Sequence, residues 1–119
     1  MNKLEIDGIE YINLLSHSIK IMSNKTLYEI DGCKGEIPRL QTVSSKVEGE
    51  PLETFTQKVI GITNLPKMKE NTILIVSLFI LNGYQELNGF VRQDLRSPGK
   101  KIYGDGGKTS FAVGLKKIK

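Results

Sequence analysis

Arg92 and Asp94 stand two residues apart in the polar segment Arg92-Gln93-Asp94-Leu95-Arg96-Ser97-Pro98-Gly99. In an extended chain alternate side chains face the same way, so the two would point together. An arginine fork can bind a phosphate or carboxylate through two parallel hydrogen bonds, and an aspartate accepts from hydroxyls or base amines. The competing reading is an ion pair within the chain, worth under about 1 kcal/mol if exposed. Arg39, between apolar Ile37 and Leu40, has the same ambiguity. His17, the single histidine, can orient a ligand or move a proton, or simply hydrogen-bond the turn that carries it. Ser77 closes the predicted strand Thr72–Ser77 and adds a hydroxyl. The candidate ligand-binding residues are therefore His17, Arg39, Ser77, Arg92 and Asp94.

Most enzyme signatures are missing. One histidine and one cysteine cannot assemble a zinc site of the usual His/Cys kind within one chain. No serine sits in a nucleophile-elbow pattern. Gly104-Asp105-Gly106-Gly107-Lys108-Thr109 ends like a phosphate-cradling loop, but its first glycine is misplaced and a strand, not a helix, should follow. We read it as a hairpin turn. No catalytic residue, metal or cofactor is expected.

Those candidates need a scaffold, and composition bounds it. At 119 residues the chain is expected to be one domain over 1–119, with 39% hydrophobic and 25% charged residues, as in ordinary globular proteins. Seventeen Lys and Arg against 13 Asp and Glu leave a net charge of +4, and Lys116, Lys117 and Lys119 form a basic tail. The body is nearly neutral and its aromatic residues are scattered, so a nucleic acid polymer is not the favoured partner. Cys33 alone cannot make an internal disulfide and fits a reducing compartment; an inert loop thiol is its simplest role. Met1–Glu10 lacks the apolar core of a signal peptide. The nine residues Ile73–Leu81 fall short of the ~20 that span a bilayer. A cytoplasmic location is expected.

Short segments punctuated by glycine predict strands. Ile9–Asn13 and Ile19–Met22 alternate across a pleat, Ser23-Asn24-Lys25 turns, and Thr26–Ile30 returns as a hairpin. Ile37–Val43 follows as a strand with Pro38 near its start, and Ser44–Glu53 reads as a loop. Thr54–Thr63 is a long strand broken by Gly61. Thr72–Ser77 reads as a central strand buried on both faces. Leu78, Leu81 and Tyr84 share helical spacing and predict one short helix over Leu78–Tyr84. Lys101–Tyr103 and Ser110–Leu115 flank the glycine turn. The expected fold is mainly β: a small antiparallel sheet, curled into a sandwich or partly open barrel, with one short helix.

A family resemblance rests on residues in this order. Asn13-Leu14-Leu15-Ser16-His17-Ser18-Ile19 resembles the Asn-Leu-Thr-Pro-His-x-(Val/Ile) opening of small uncharacterised proteins of bacteriophages and prophages. Pro38-Arg39-Leu40, Asn64-Leu65-Pro66 and Thr72-Ile73-Leu74-Ile75-Val76-Ser77 follow as that family's arginine strand, Gly-Leu-Pro connection and Thr-x-x-Ile-Val-Ser strand do. Arg92-Gln93-Asp94-Leu95-Arg96-Ser97-Pro98 then matches an Arg-x-Asp-(Leu/Ile)-x-x-Pro pattern, and Asp105-Gly106-Gly107 with Phe111–Leu115 matches its closing turn and strand. Ser16 replaces a proline and Asn64 a glycine. The resemblance implies a phage-encoded accessory protein and brings no catalytic residues.

Together these readings give a leading expectation. The chain would be a non-enzymatic protein that binds a small anionic ligand of nucleotide or ADP-ribose type and sequesters a host defence signal. The alternative is a protein-interaction module, either a virion or assembly component or an inhibitor of a host protein, that pairs through exposed sheet edges. A small hydrolase using His17 or Asp94 is a third reading. A pocket of nucleotide size in so short a chain predicts a homo-oligomer, with Arg92 and Asp94 near a shared cleft.

Overall fold

Two-residue turns, one apolar strand and one capped helix organise the chain in the computed structural model, which describes residues 1–103 and 110–118. The elements are β1 (Lys3–Ile6), β2 (Ile9–Asn13), β3 (Ile19–Ser23), β4 (Thr26–Ile30), β5 (Arg39–Val47) and β6 (Thr54–Thr63). They continue with β7 (Thr72–Ile75), α1 (Leu78–Asn88), β8 (Leu95–Tyr103) and β9 (Ser110–Lys116). Seven strands form one sheet in the order β1-β2-β7-β8-β9-β3-β4, and β5 with β6 forms a separate hairpin. Over the described residues the protein is mainly β with one helix, and the large sheet curls into a nearly closed barrel.

The turns follow from local chemistry. Asp7-Gly8 joins β1 to β2 and Asn24-Lys25 joins β3 to β4, all four residues at positive φ, as tight two-residue hairpin turns demand. Four pairings are antiparallel, whereas β2–β7, β7–β8 and β3–β9 are parallel. The sheet is therefore mixed. The cause is visible at β7–α1–β8, where a helical crossover returns the chain in its original direction.

β7 is buried on both faces, as its composition predicts. Leu74 and Val76 pack with Leu14, Ile80, Leu81 and Leu95 beneath α1. Ile75 points the other way, into the curled sheet, among Ile19, Ile21 and Ile30. Each such side chain contributes roughly 1.5–3 kcal/mol by leaving water. β7 ends at Ile75, so Ser77 belongs to the helix: its Oγ accepts from the Ile80 amide at 3.3 Å as N-cap. α1 runs a turn beyond the expected Tyr84. Gly83 lies in its interior under the Leu40 side chain, and Gly89, at φ 76°, ends it with its amide on the Gln85 carbonyl.

The region expected as a loop from Ser44 is strand as far as Val47, paired to Thr54. Opposite it β6 carries one extra residue, Ile60, at a bulge between the Gln41–Gly61 and Thr42–Val59 pairs. Most of this hairpin is exposed, and it leaves the body as an arm. The radius of gyration is accordingly 16.8 Å, against about 13.5 Å for a compact chain of this length. β1 was not anticipated, β8 begins at Leu95 and runs through Pro98, and the glycine turn over Gly104–Gly107 lies outside the described residues. Among the described residues no helix is long and apolar enough to cross a membrane.

One buried polar side chain joins three segments. Asn13 is fully buried. Its amide nitrogen donates to the carbonyls of His17 at 3.0 Å, Asp31 at 3.0 Å and Ile30 at 3.3 Å, and its Oδ1 accepts from the Leu15 amide at 2.9 Å. Close by, the Cys33 amide donates to the Leu15 carbonyl at 2.7 Å. A Cβ on Gly32 would sit 2.7 Å from the His17 backbone, so only glycine fits there. Outside this knot the Met1 ammonium bonds Asp31 at 2.9 Å; that hydrogen bond, and then the ammonium's charge, hold the Asp31 carboxyl below its ordinary value.

Replacing Asn13 should therefore be costly. Asn13→Ala is expected to lower the unfolding free energy by about 3 kcal/mol, because buried carbonyls and an amide lose their partner. Asn13→Asp should cost more, since a carboxylate would face carbonyl oxygens where the amide donated. Urea unfolding monitored by circular dichroism checks both. A change within about 0.5 kcal/mol, the size of a neutral surface substitution, would refute the role assigned to this side chain.

Candidate functional site

The structure brings Arg92 and Asp94 together, but toward each other. Arg92 Nε donates to Asp94 Oδ1 at 2.7 Å and Nη2 to Oδ2 at 3.0 Å, a two-pronged pair with both side chains buried. Nη2 also bonds the Pro66 carbonyl, and the guanidinium lies 6.0 Å from the centre of the Tyr84 ring. Tyr84 in turn meets Phe90 edge to face at 5.6 Å. Both oxygens of the carboxylate accept from Arg92, and the Nε and Nη2 edge of the guanidinium is committed to Asp94 and Pro66. This pair fastens the end of α1 and the β6–β7 connection to the start of β8, and it borders none of the clefts described below.

The other candidates are dispersed. Ser77 is spent as the helix cap. Arg39 is exposed at the first position of β5 and borders a shallow hollow with Ser16, Glu36 and Asn64. His17 is exposed and borders a different cleft. Among the described residues no three His, Cys, Asp or Glu side chains gather as a metal site requires. Cys33 is half-buried against the core under α1.

The His17 cleft follows from strand geometry. β3 and β9 are in register only at Ile21–Ala112 and Met22–Val113. The first half of β3 consequently diverges from β9, and a cleft of about 480 Å³ opens between them. One wall is His17, Ser18 and Lys20; the other is Lys101 on β8 with Ser110 and Phe111 on β9. The floor includes Gly99, where a Cβ would collide with the Val113 carbonyl, so glycine lets β8 and β9 approach.

Among the described residues the charge lining this cleft is of one sign: two lysines border it and no carboxylate does. Glu29 stands opposite Lys20 across the β3–β4 pair, yet no ion pair joins them among the described residues. Two ammonium groups, an imidazole, two hydroxyls and a half-buried phenyl ring can hold an anion that carries a flat ring. Of the residues bordering this cleft, the sequence singles out His17 but not Lys20, Lys101 or Phe111. Lys20 and Lys101 look like the solvated positions of ordinary strands, and only the parallel β3–β9 joint, which pairs residues 91 apart in sequence, makes them neighbours.

The Arg92–Asp94 assignment generates a double-mutant test. Asp94→Leu alone leaves a buried guanidinium without its partner and should cost about 3–5 kcal/mol. Arg92→Met together with Asp94→Leu should cost less than the sum of the single changes, because no unpaired charge remains. Urea unfolding of the four proteins gives the coupling; strict additivity would show that the pair is not energetically joined. A comparison of the chain with protein-family models, curated proteins and solved structures finds no match.

Proposed function

We propose that this protein binds, without transforming it, a small anionic ligand of nucleotide type in the His17–Lys20–Lys101 cleft. The observation that supports the reading is the lining: two lysines, a histidine and two serines around a phenyl ring, with no carboxylate among the described residues. Ammonium groups and hydroxyls would receive a phosphate, and a base would stack on Phe111, a contact worth about 1–3 kcal/mol. Sequestration needs only affinity and enclosure, so the cleft requires no catalytic group. Within the same proposal the chain is a phage accessory protein that acts in the host cytoplasm and removes a nucleotide defence signal. The sequence resemblance is the support for that part. A homo-oligomer would add walls to an otherwise open cleft.

A second reading has its own support. The β5–β6 hairpin projects from the body and exposes Val43, Phe55 and Ile60, and a two-stranded ribbon is marginal alone in water. This arm suits an interaction module that engages a protein partner. Sedimentation of the purified chain and of a Val43→Lys, Phe55→Lys variant bears on it; an assembly lost in the variant favours the arm.

Titration calorimetry with AMP, ADP-ribose and a cyclic dinucleotide, at low salt, tests the leading reading. At least one should bind, weaken as salt rises, and be recovered chemically unchanged after incubation. Lys20→Gln with Lys101→Gln should weaken it about a hundredfold, roughly tenfold per lost charge–phosphate contact. No binding up to millimolar concentration, or affinity untouched by the double substitution, would overturn the proposal.

A further inference from the structure

The curled sheet holds a second cavity whose chemistry is opposite to that of the cleft. Its edge strands β1 and β4 are joined at one end by the Met1–Asp31 ion pair at 2.9 Å, which leaves the start of β1 beside the end of β4. Away from that joint no pairing connects the two edges among the described residues, and a cavity of about 450 Å³ opens between them toward the Asp7 and Asn24 turns. Alternation along the strands sends Leu4 and Ile6 inward while Lys3 and Glu5 face out, and sends Tyr28 and Ile30 inward while Leu27 and Glu29 face out. Ile21, Ile73 and Tyr11 complete an apolar wall.

Among the described residues Arg96 is the one cationic side chain lining this space. Its Nη1 donates to the Gln93 carbonyl at 2.6 Å and the Leu95 carbonyl at 3.0 Å, while Nε and Nη2 have no acceptor among the described residues. No carboxylate pairs with it there either. Among the described residues the only acid in the lining is Asp7, in the turn at the mouth. A polyphosphate would meet one guanidinium and one opposing carboxylate. A ligand with one negative charge and an aliphatic body meets one guanidinium and a wall of isoleucine, leucine and tyrosine, the usual make-up of a small-ligand site in a barrel mouth.

We propose that the barrel interior is a second binding site, for an amphipathic monoanion such as a medium-chain carboxylate, with Arg96 receiving the charged head and the β1–β4 seam admitting the tail. The site is separate from the His17 cleft and does not depend on the nucleotide reading.

The probes are hexanoate, octanoate and decanoate, with decanamide as the uncharged control, titrated into the full chain by calorimetry. Each added CH₂ should tighten binding up to about fourfold, the equivalent of about 0.8 kcal/mol, and decanoate should bind at least tenfold better than decanamide. Arg96→Gln should erase the preference for decanoate while decanamide binding persists, a change that general loosening of the fold would not produce. If that variant does not fold, Asn24→Asp at the mouth serves instead, and its carboxylate should weaken decanoate but not decanamide. Lys20→Gln with Lys101→Gln should leave decanoate binding unchanged. Absence of chain-length dependence, an unaltered charge preference in Arg96→Gln, or loss of decanoate binding in the lysine variant would each overturn the proposal.

Discussion

The Asn13 side chain is the constraint on which the rest of the architecture depends. It sits at the end of β2 with no access to water and ties together the loop leading to β3 and the segment leaving β4. Buried amides are retained only where every hydrogen bond is made, so this geometry admits few alternatives. Because His17 gives its carbonyl to Asn13, its imidazole is left on the outer side of the loop, where the cleft begins. Gly32, pressed against the His17 backbone, holds the same loop from beneath. A polar knot remote from the lysines thus sets one wall of the proposed anion site.

The central strand β7 divides the apolar interior into two cores, one under α1 and one inside the curled sheet. Nothing but β7 and its neighbours separates them, so a single strand must be apolar on both faces. The crossover helix then has to be fastened at both ends. Ser77 caps its start, and the buried Arg92–Asp94 pair with Tyr84 secures the chain just past its finish. The residues that most resemble a ligand site by type are thereby consumed in holding the helix to the sheet.

What was legible in the sequence followed the range of the interaction. Ile9–Asn13, Thr26–Ile30 and Thr54–Thr63 were readable because alternation and turn residues are local. β1 carried a readable signal too, Leu4 and Ile6 alternating with Lys3 and Glu5, hidden by its shortness. The helix ran past Tyr84 because Gly83, which costs helix propensity, is repaid by the close approach of Leu40. Strand β5 outran its expected end because a polar ribbon, Ser44-Ser45-Lys46, is held by cross-strand pairing with Gln57, Thr56 and Phe55. The parallel joints could not be read, since nothing in β3 announces β9 as its partner.

The same limit explains the misleading prominence of Arg92 and Asp94. Opposite charges at alternate strand positions are equally suited to a ligand and to each other, and burial decides between the two. Once Pro66 and Tyr84 enclose the guanidinium, releasing it to an external anion would strand the Asp94 carboxylate in a site of low polarity. Lys20, Lys101 and Arg96 face no such competition, because no carboxylate pairs with them among the described residues. A net charge of +4 spread over the chain gives no hint of this sorting. In both proposed sites the cations are ones with which no carboxylate pairs among the described residues, whereas Arg92 is already engaged.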